Sequence, residues 1–285
     1  MNIKQAYQQL LLQLSTIYDN REAANIANWV IEYITEQNKI NRILHPDISI
    51  SEKQLAELEM YTTQLLQHQP VQYVLKEAWF FGLHFYVNEH VLIPRPETEE
   101  LVKWTLDFLQ ENNLKEKKVL EIGTGSGCIS IALKKNNPHL QITSIDISAE
   151  ALAVAKQNAS SLQSTITFKE INFLIESNWD KLEQYYVIIS NPPYIKESEK
   201  DSINKNVLAY EPHLALFVLD TDALIFYKKI AAFGKQHLLP KGKIFVEINE
   251  ALGKETQEVF EQTGYTTQLK KDLQGKERML MAIII

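Results

Sequence analysis

The sequence predicts an α/β fold, with a mostly parallel sheet covered on both faces by helices and a small helical domain ahead of it. Three observations carry this. From Pro94 onward, short β-favouring runs alternate with helical patterns, as βαβ units require. Residues 1–69 contain no glycine and a single proline, Pro46, and are patterned as helices. Between the two lies an aromatic stretch punctuated by Gly82, which reads as a β-hairpin.

Taken in order, helices are expected over 3–14, 21–37 and 52–68. The third has a defined start. Ser49 and Ser51 offer N-caps, and Glu52 and Gln54 stand three residues beyond each as capping-box partners. Leu55, Leu58 and Leu65 or Leu66 then make an apolar stripe. Pro70 ends this helical domain, set at 1–69. The hairpin linker takes 70–93, with Trp79, Phe80, Phe81, Phe85, Tyr86 and Val87 as strand formers. The α/β domain takes 94–285. Strands are expected at 118–122, 141–145, 165–169, 186–190 and 243–248, with helices at 129–135, 148–160, 223–238 and 255–263. Segments 266–269 and 279–285 form a closing pair.

The chain carries a net charge of −7, an acidic balance that argues against indiscriminate binding to naked nucleic acid, which depends on neutralising phosphates. A local basic patch remains compatible with it. Cys128 is the only cysteine, so neither an intrachain disulfide nor a cysteine-based zinc site can form. A cytoplasmic protein without a resident metal is expected. No apolar run approaches the ~20 residues that span a bilayer, and residues 1–13 lack the pattern of a signal peptide.

The residues that free or restrict the backbone are concentrated at a few places. Three of the nine glycines are Gly123, Gly125 and Gly127, in a turn between an apolar strand and a helix. Glycines there let the backbone approach a ligand closely. A dinucleotide fingerprint wants its third glycine one residue later, where this chain has Cys128. Glu121 stands just before the turn; a carboxylate suits an ammonium group better than a pyrophosphate. A ligand with an amino-acid end and a nucleoside end fits, and S-adenosylmethionine has both. Gly123, Thr124, Gly125, Ser126 and Gly127 are therefore candidate cofactor residues. Asp146 ends the next strand about 20 residues beyond Gly123, where an acid can accept from ribose hydroxyls. Taken alone, Asp146 reads equally well as a helix N-cap.

Four of the nine prolines are Pro94, Pro96, Pro192 and Pro193. The strand 186–190 runs into Asn191-Pro192-Pro193-Tyr194, and the paired prolines end the sheet and stiffen the loop. Asn191 brings a side-chain carbonyl and Pro192 a backbone carbonyl. Two fixed acceptors can bind both hydrogens of a planar –NH₂ and aim its nitrogen at an electrophilic methyl carbon. Tyr194 offers a flat face to a flat amide or base. Asn191 and Pro192 are the candidate catalytic residues, and Asn191, Pro192, Pro193 and Tyr194 the candidate substrate residues.

A strand running into Asn-Pro-Pro-Tyr after a Gly-x-Gly-x-Gly turn resembles the Rossmann-type methyltransferases of planar amino nitrogens. Pro70–Tyr73, Phe80–Gly82, Leu92–Glu99, Tyr210–Pro212 and Lys271–Arg278 narrow the resemblance to the peptide chain release factor glutamine methyltransferase (HemK/PrmC) family. The resemblance is densest from Pro70 to the C-terminus. It implies a seven-stranded Rossmann-type methyltransferase domain joined by a β-hairpin to a helical domain that docks the substrate protein. It implies S-adenosyl-L-methionine as cofactor and class 1 peptide chain release factors as partners, methylated on the glutamine of their Gly-Gly-Gln motif. It implies that Gly123 to Gly127, Asp146 and Asn191 hold the donor and that Phe173 packs on its adenine. At Asn172 the chain departs from the family's usual acid, leaving an amide oxygen where a carboxylate would meet the adenine amino group. Glu97, Glu99 and Glu100 also favour the N-terminus of the helix that ends near Gln110.

Two other classes of function share parts of this pattern. An adenine-N(6) methyltransferase of DNA or RNA has the same four-residue loop, but a flipped base calls for extra binding surface. A non-catalytic S-adenosylmethionine-binding module would keep the pocket without the reaction. A dehydrogenase is the weakest reading, because the glycine spacing opposes it.

Overall fold

The helical segment follows from its capping residues and apolar periodicity. The computed structural model describes residues 1–111 and 117–284, so Ile285, the end of the expected closing strand, lies outside the described residues. Helices α1 (Ile3–Leu14), α2 (Asn20–Thr35), α3 (Lys39–Leu44), α4 (Glu52–Leu66) and α5 (Val71–Leu75) come first. Asn2 with Gln5 and Ser51 with Gln54 form capping boxes at α1 and α4. Ile3, Ala6, Leu10 and Leu14 of α1 are buried at helical spacing, as are Ala23, Ile26, Ala27, Val30, Ile31 and Ile34 of α2. Ser49 does not cap α4; it bridges back to Asn2 in an isolated antiparallel pair.

The chain divides into two compact units, Met1–Glu77 with Asn204–Tyr210, and Ala78–Ile203 with Glu211–Ile285. The division falls within strand β1 (Glu77–Phe80) rather than at Pro70. Strands β1 and β2 (Leu83–Tyr86) form the hairpin. Phe81 and Gly82 both take positive φ (51° and 71°), as a two-residue hairpin turn demands. Phe80 and Phe85 are fully buried in the core shared with Leu101, Val119 and Phe245. The hairpin therefore belongs to the α/β unit's core. Asn158 ties it further inward: its Oδ1 accepts from Tyr86 N (2.8 Å), and its Nδ2 donates to the carbonyls of Tyr86 (2.9 Å) and Ser126 (2.9 Å).

The α/β unit continues through α6 (Pro96–Glu111), β3 (Lys118–Ile122), α7 (Cys128–Asn136), β4 (Gln141–Asp146), α8 (Ala149–Ser161), β5 (Thr167–Glu170), β6 (Tyr185–Ser190) and β7 (Ile195–Lys196). The segment α9 (Lys205–Tyr210) belongs to the helical unit, where Tyr210 Oη donates to the Gln67 carbonyl (2.8 Å). Then come α10 (His213–Leu216), β8 (Phe217–Val218), α11 (Ile225–His237), β9 (Leu238–Glu247), α12 (Gly253–Gln262), β10 (Tyr265–Lys271) and β11 (Glu277–Ile284).

The main sheet has seven strands in the order β10-β11-β9-β6-β3-β4-β5, and β7 pairs with β8 separately. Strands β5, β4, β3, β6 and β9 are parallel, and β11 runs antiparallel to both its neighbours, β9 and β10. Every residue of β6 is buried, as a central parallel strand requires. Separate apolar cores cover the two faces. Leu120, Ile122, Ile188 and Val246 look toward one, and Val119, Val187, Ile189 and Phe245 toward the other. Among the described residues no helix is long and apolar enough to cross a membrane.

Candidate active site

The strand order reverses at β3, which has β4 on one side and β6 on the other. In open α/β sheets, ligands bind beyond the carboxyl ends of the strands at such a reversal. The turn after β3 carries Gly123–Gly127, β4 ends on Asp146, and the turn after β6 carries Asn191–Tyr194. Ile122 pairs with both Ile145 and Ser190, so three adjacent strand ends release all three motifs. A Cβ on Gly123 would sit 3.8 Å from the Asn191 carbonyl oxygen. A cavity of about 300 Å³ opens there, a size proper to a small-ligand site. Gly123, Thr124, Gly125, Ser126, Asp146, Phe173, Asn191 and Pro193 are among its walls; Gly127, Pro192 and Tyr194 are not.

The glycine turn is built from backbone hydrogen bonds. Gly123 N and Thr124 N both donate to the Ile145 carbonyl (2.9 and 3.1 Å), and Gly127 N donates to the Thr124 carbonyl (2.9 Å). Gly127 has φ +80°, and a Cβ there would meet Ala155 Cβ and Ile131 Cδ1 at 3.2 Å. The third glycine therefore serves the packing of the turn on α8 and α7 rather than the cavity.

Asp146 Oδ2 accepts from Gly125 N (2.9 Å) and Oδ1 from Ser148 N (3.0 Å). The N-cap of α8 is Ser148, whose hydroxyl accepts from Ala151 N (3.0 Å). Asp146 thus braces the turn, and each carboxylate oxygen keeps capacity for a further donor.

Glu121 does not reach the cavity, contrary to the expectation that it meets an ammonium group. It alternates with Leu120 and Ile122 along β3, so its side chain leaves the opposite face of the sheet from Ile122. It is fully buried and accepts from Ser144 Oγ, which in turn bonds Thr124 Oγ1 (2.8 Å). Its Oε1 has no hydrogen-bond partner among the described residues. Burial, with Asp146 nearby, pushes the carboxyl up to about 8, against the pull of the serine hydroxyls. At neutral pH it is mostly protonated. Burial and Glu121 likewise push the Cys128 thiol up to about 12, so this cavity-side thiol is not a nucleophile.

Phe173 is buried, stacked on Trp179 (centroids 5.6 Å apart, 29° between planes) and edge-on to Phe233. Asn172 Oδ1 accepts from Leu174 N (3.1 Å), so this amide shapes its own turn.

The proline loop is held by side chains from elsewhere. Asn191 Nδ2 donates to Thr98 Oγ1 (3.0 Å), and Thr98 Oγ1 donates to Glu247 Oε2 (2.6 Å). Tyr194 Oη donates to Glu247 Oε1 (3.0 Å), and Asn249 Nδ2 to the Tyr194 carbonyl (3.1 Å). Burial and the Glu247 carboxylate push the Tyr194 phenol well above its usual range, so it remains a donor. Burial also raises the Glu247 carboxyl, opposed by the hydroxyls of Thr98 and Tyr194 and by the charge of Arg278. The Tyr194 ring packs against the core around Tyr227 and Ile248. Sequence reasoning expected it as a flat platform for substrate; the structure instead places it among the residues that anchor the loop. At the rim, Arg95 pairs with the buried Glu211 (2.6 Å), which also accepts from Ile93 N (3.2 Å).

The chain is similar to known proteins along most of its length. Residues 5–75 match the PrmC N-terminal domain model, and residues 103–214 match the methyltransferase small domain. A release factor glutamine methyltransferase of Flavobacterium psychrophilum is 45% identical over 98% of both chains. One from Bacteroides thetaiotaomicron is 38% identical over 94% of this chain and 95% of its own. The chain belongs to the release factor glutamine methyltransferase family. The solved catalytic domain of hMettl16 in complex with an RNA hairpin has the same fold, at TM-score 0.55 and 15% identity over 84% of each chain. Within this glutamine methyltransferase chain, the residues that sequence reasoning missed are Thr98, Glu247 and Asn249. One signal was available: Glu247 is an acid closing a buried strand, as Asp146 is.

Proposed function

We propose that this chain transfers a methyl group from S-adenosyl-L-methionine to the side-chain amide nitrogen of the glutamine in the Gly-Gly-Gln motif of class 1 peptide chain release factors, and so modulates translation termination in the cytoplasm. Membership of the family supports the reaction. The observation that carries the site is the Asn191 carboxamide. Its nitrogen donates to Thr98, its oxygen takes no donor of the chain among the described residues, and Asn191 lines the cavity beside the glycine turn.

The residues present fit the donor. Gly123 to Ser126 offer a turn that a ligand can approach closely, and Asp146 has spare acceptor capacity for ribose hydroxyls. Ile122, Phe173 and Leu174 supply apolar wall for a nucleobase, Gly127 keeps the turn seated, and Asn191 closes the wall on the far side. When bound, the donor supplies a methyl carbon activated by sulfonium charge.

The chain's own contribution is orientation. An amide nitrogen is a poor nucleophile because its lone pair is delocalised, so in-line placement at about 3–3.5 Å is worth several kcal/mol. Asn191 Oδ1 and the Pro192 carbonyl accept the two hydrogens of the substrate –NH₂. Among the described residues no donor of the chain occupies either oxygen. Both hydrogen bonds strengthen as positive charge develops on nitrogen, so they favour the transition state over the ground state. Pro193 contributes wall, and Tyr194 fixes the loop's far end through Glu247. The helical unit docks the release factor. No sequence-specific contact with nucleic acid and no membrane contact is involved.

The test incubates the protein with isotope-labelled donor and a purified release factor, then maps label by mass spectrometry. Label on the glutamine of Gly-Gly-Gln, abolished by a Gln→Ala change there, is the expected result. Label on nucleic acid, or no binding of S-adenosylhomocysteine by calorimetry, would overturn the assignment.

A further inference from the structure

We propose that Thr98 and Glu247 are positioning residues that decide which end of the Asn191 carboxamide is offered to substrate. The argument deepens the functional reading above and rests on it. A carboxamide has an oxygen end that only accepts and a nitrogen end that only donates, in nearly the same shape. A half-turn of Asn191 would set a donor against the hydrogens of the substrate amide. Something must hold the correct end outward.

The structure holds it through a relay from the loop to the end of β9. Asn191 Nδ2 lies 3.0 Å from Thr98 Oγ1, and Thr98 Oγ1 lies 2.6 Å from Glu247 Oε2. Glu247 Oε1 is already taken by Tyr194 Oη, and its Oε2 takes the single Thr98 proton. Thr98 Oγ1 can then only accept from Asn191, and that requirement selects the nitrogen end. Asn191 Oδ1 is left as the free acceptor. The other Glu247 oxygen is occupied by Tyr194 Oη (3.0 Å), so both carboxylate oxygens are held, and Tyr227 Oη fixes the residue's backbone carbonyl (3.0 Å). Thr98 is 2% exposed and Glu247 1%, which keeps water from substituting for either partner. Neither residue forms part of the Asn191–Tyr194 loop, and Thr98 reaches it from the first turn of α6.

The experiment compares Thr98→Val, which keeps shape and loses the hydroxyl, with Thr98→Ser, which keeps the hydroxyl. Thr98→Val is expected to lower kcat on a release factor by about tenfold, as loss of one buried hydrogen bond would. Thr98→Ser recovers most of that, and affinity for S-adenosylhomocysteine stays within about twofold in both. In an Asn191→Ala background, Thr98→Val has no further effect on kcat, because it acts through Asn191. Equal damage by Val and Ser, native kcat in Thr98→Val, or additive losses in the double variant would overturn the proposal. A measurement on the unaltered protein does not depend on any Thr98 variant folding. With ¹⁵N-asparagine labelling, the Asn191 side-chain amide pair is identified by its absence in Asn191→Ala. Slow solvent exchange of one of its two protons supports the relay; fast exchange of both overturns it. If the unaltered protein labels no glutamine, the functional reading fails, while the amide signal still decides the relay.

Discussion

The two loops that meet at the cavity are held in opposite ways. Gly123–Gly127 is fixed by its own backbone, through amides given to Ile145, Thr124 and Asp146. Asn191–Tyr194 is fixed by side chains from α6, from the end of β9 and from the segment after it, namely Thr98, Glu247 and Asn249. A loop held by backbone geometry writes its requirements into consecutive letters. A loop held by remote side chains does not. The first depends above all on its glycines; the second is exposed to changes far from it in sequence.

That contrast can be broken or sharpened by substitution. The largest effect is expected for Asn191→Ala, which should lower kcat by about 10²-fold or more, by analogy with losing one preorganised group at a charge-developing centre. Affinity for S-adenosylhomocysteine should change far less. Single-turnover kinetics with calorimetry check this, and a near-native rate would remove Asn191 from the chemistry. Next comes Gly127→Ala. Its left-handed φ and two contacts at 3.2 Å should together cost about 2–4 kcal/mol, read as a fall in Tm. Gly125→Ala shares the positive φ (+53°) but meets nothing within 4 Å, so about 1–2 kcal/mol is expected. Equal losses at the two glycines would show that packing on Ala155 is not what the third glycine serves.

A further effect, read against pH, is the response of Glu121. Its folded carboxyl titrates near 8, against an ordinary value of 4.5, because burial outweighs its hydroxyl partners. The folded protein keeps a proton that the unfolded chain releases, so stability declines as pH rises from about 4.5 to 8. Glu121→Gln removes this decline and should narrow the loss between pH 6 and pH 8 by about 1–3 kcal/mol. Unfolding midpoints of both proteins at the two pH values check it. An unchanged slope would place the titration elsewhere.

The sheet was legible because buried parallel strands leave apolar runs, and β3, β4 and β6 fall within one or two residues of their expected places. Strand β9 begins well before the expected Lys243, because Pro240 and Gly242 interrupt the apolar run without ending the strand. Short elements such as α3, α10 and the β7–β8 pair have too few residues for a period to show. In the site, Asp146 announced itself by position as a ligand residue or an N-cap, whereas its bracing of the glycine turn, with Ser148 as the cap of α8, needed coordinates. Glu121 was misplaced because motif spacing carries no information on which face of a strand a residue leaves. The anchoring of Tyr194 was not legible because an aromatic side chain beside a reactive loop looks the same whether its hydroxyl is free or bound to a distant acid.

Asn158 links the hairpin to the glycine turn with a single carboxamide. Its three bonds join Tyr86 on one side to the Ser126 carbonyl on the other. A catalytic fragment trimmed to start at Pro94 would lose both Tyr86 partners and open the pocket in which Phe80 and Phe85 sit. The smallest piece worth isolating for donor-binding work therefore starts upstream of the hairpin, and a shorter one would report on a damaged turn rather than on the enzyme.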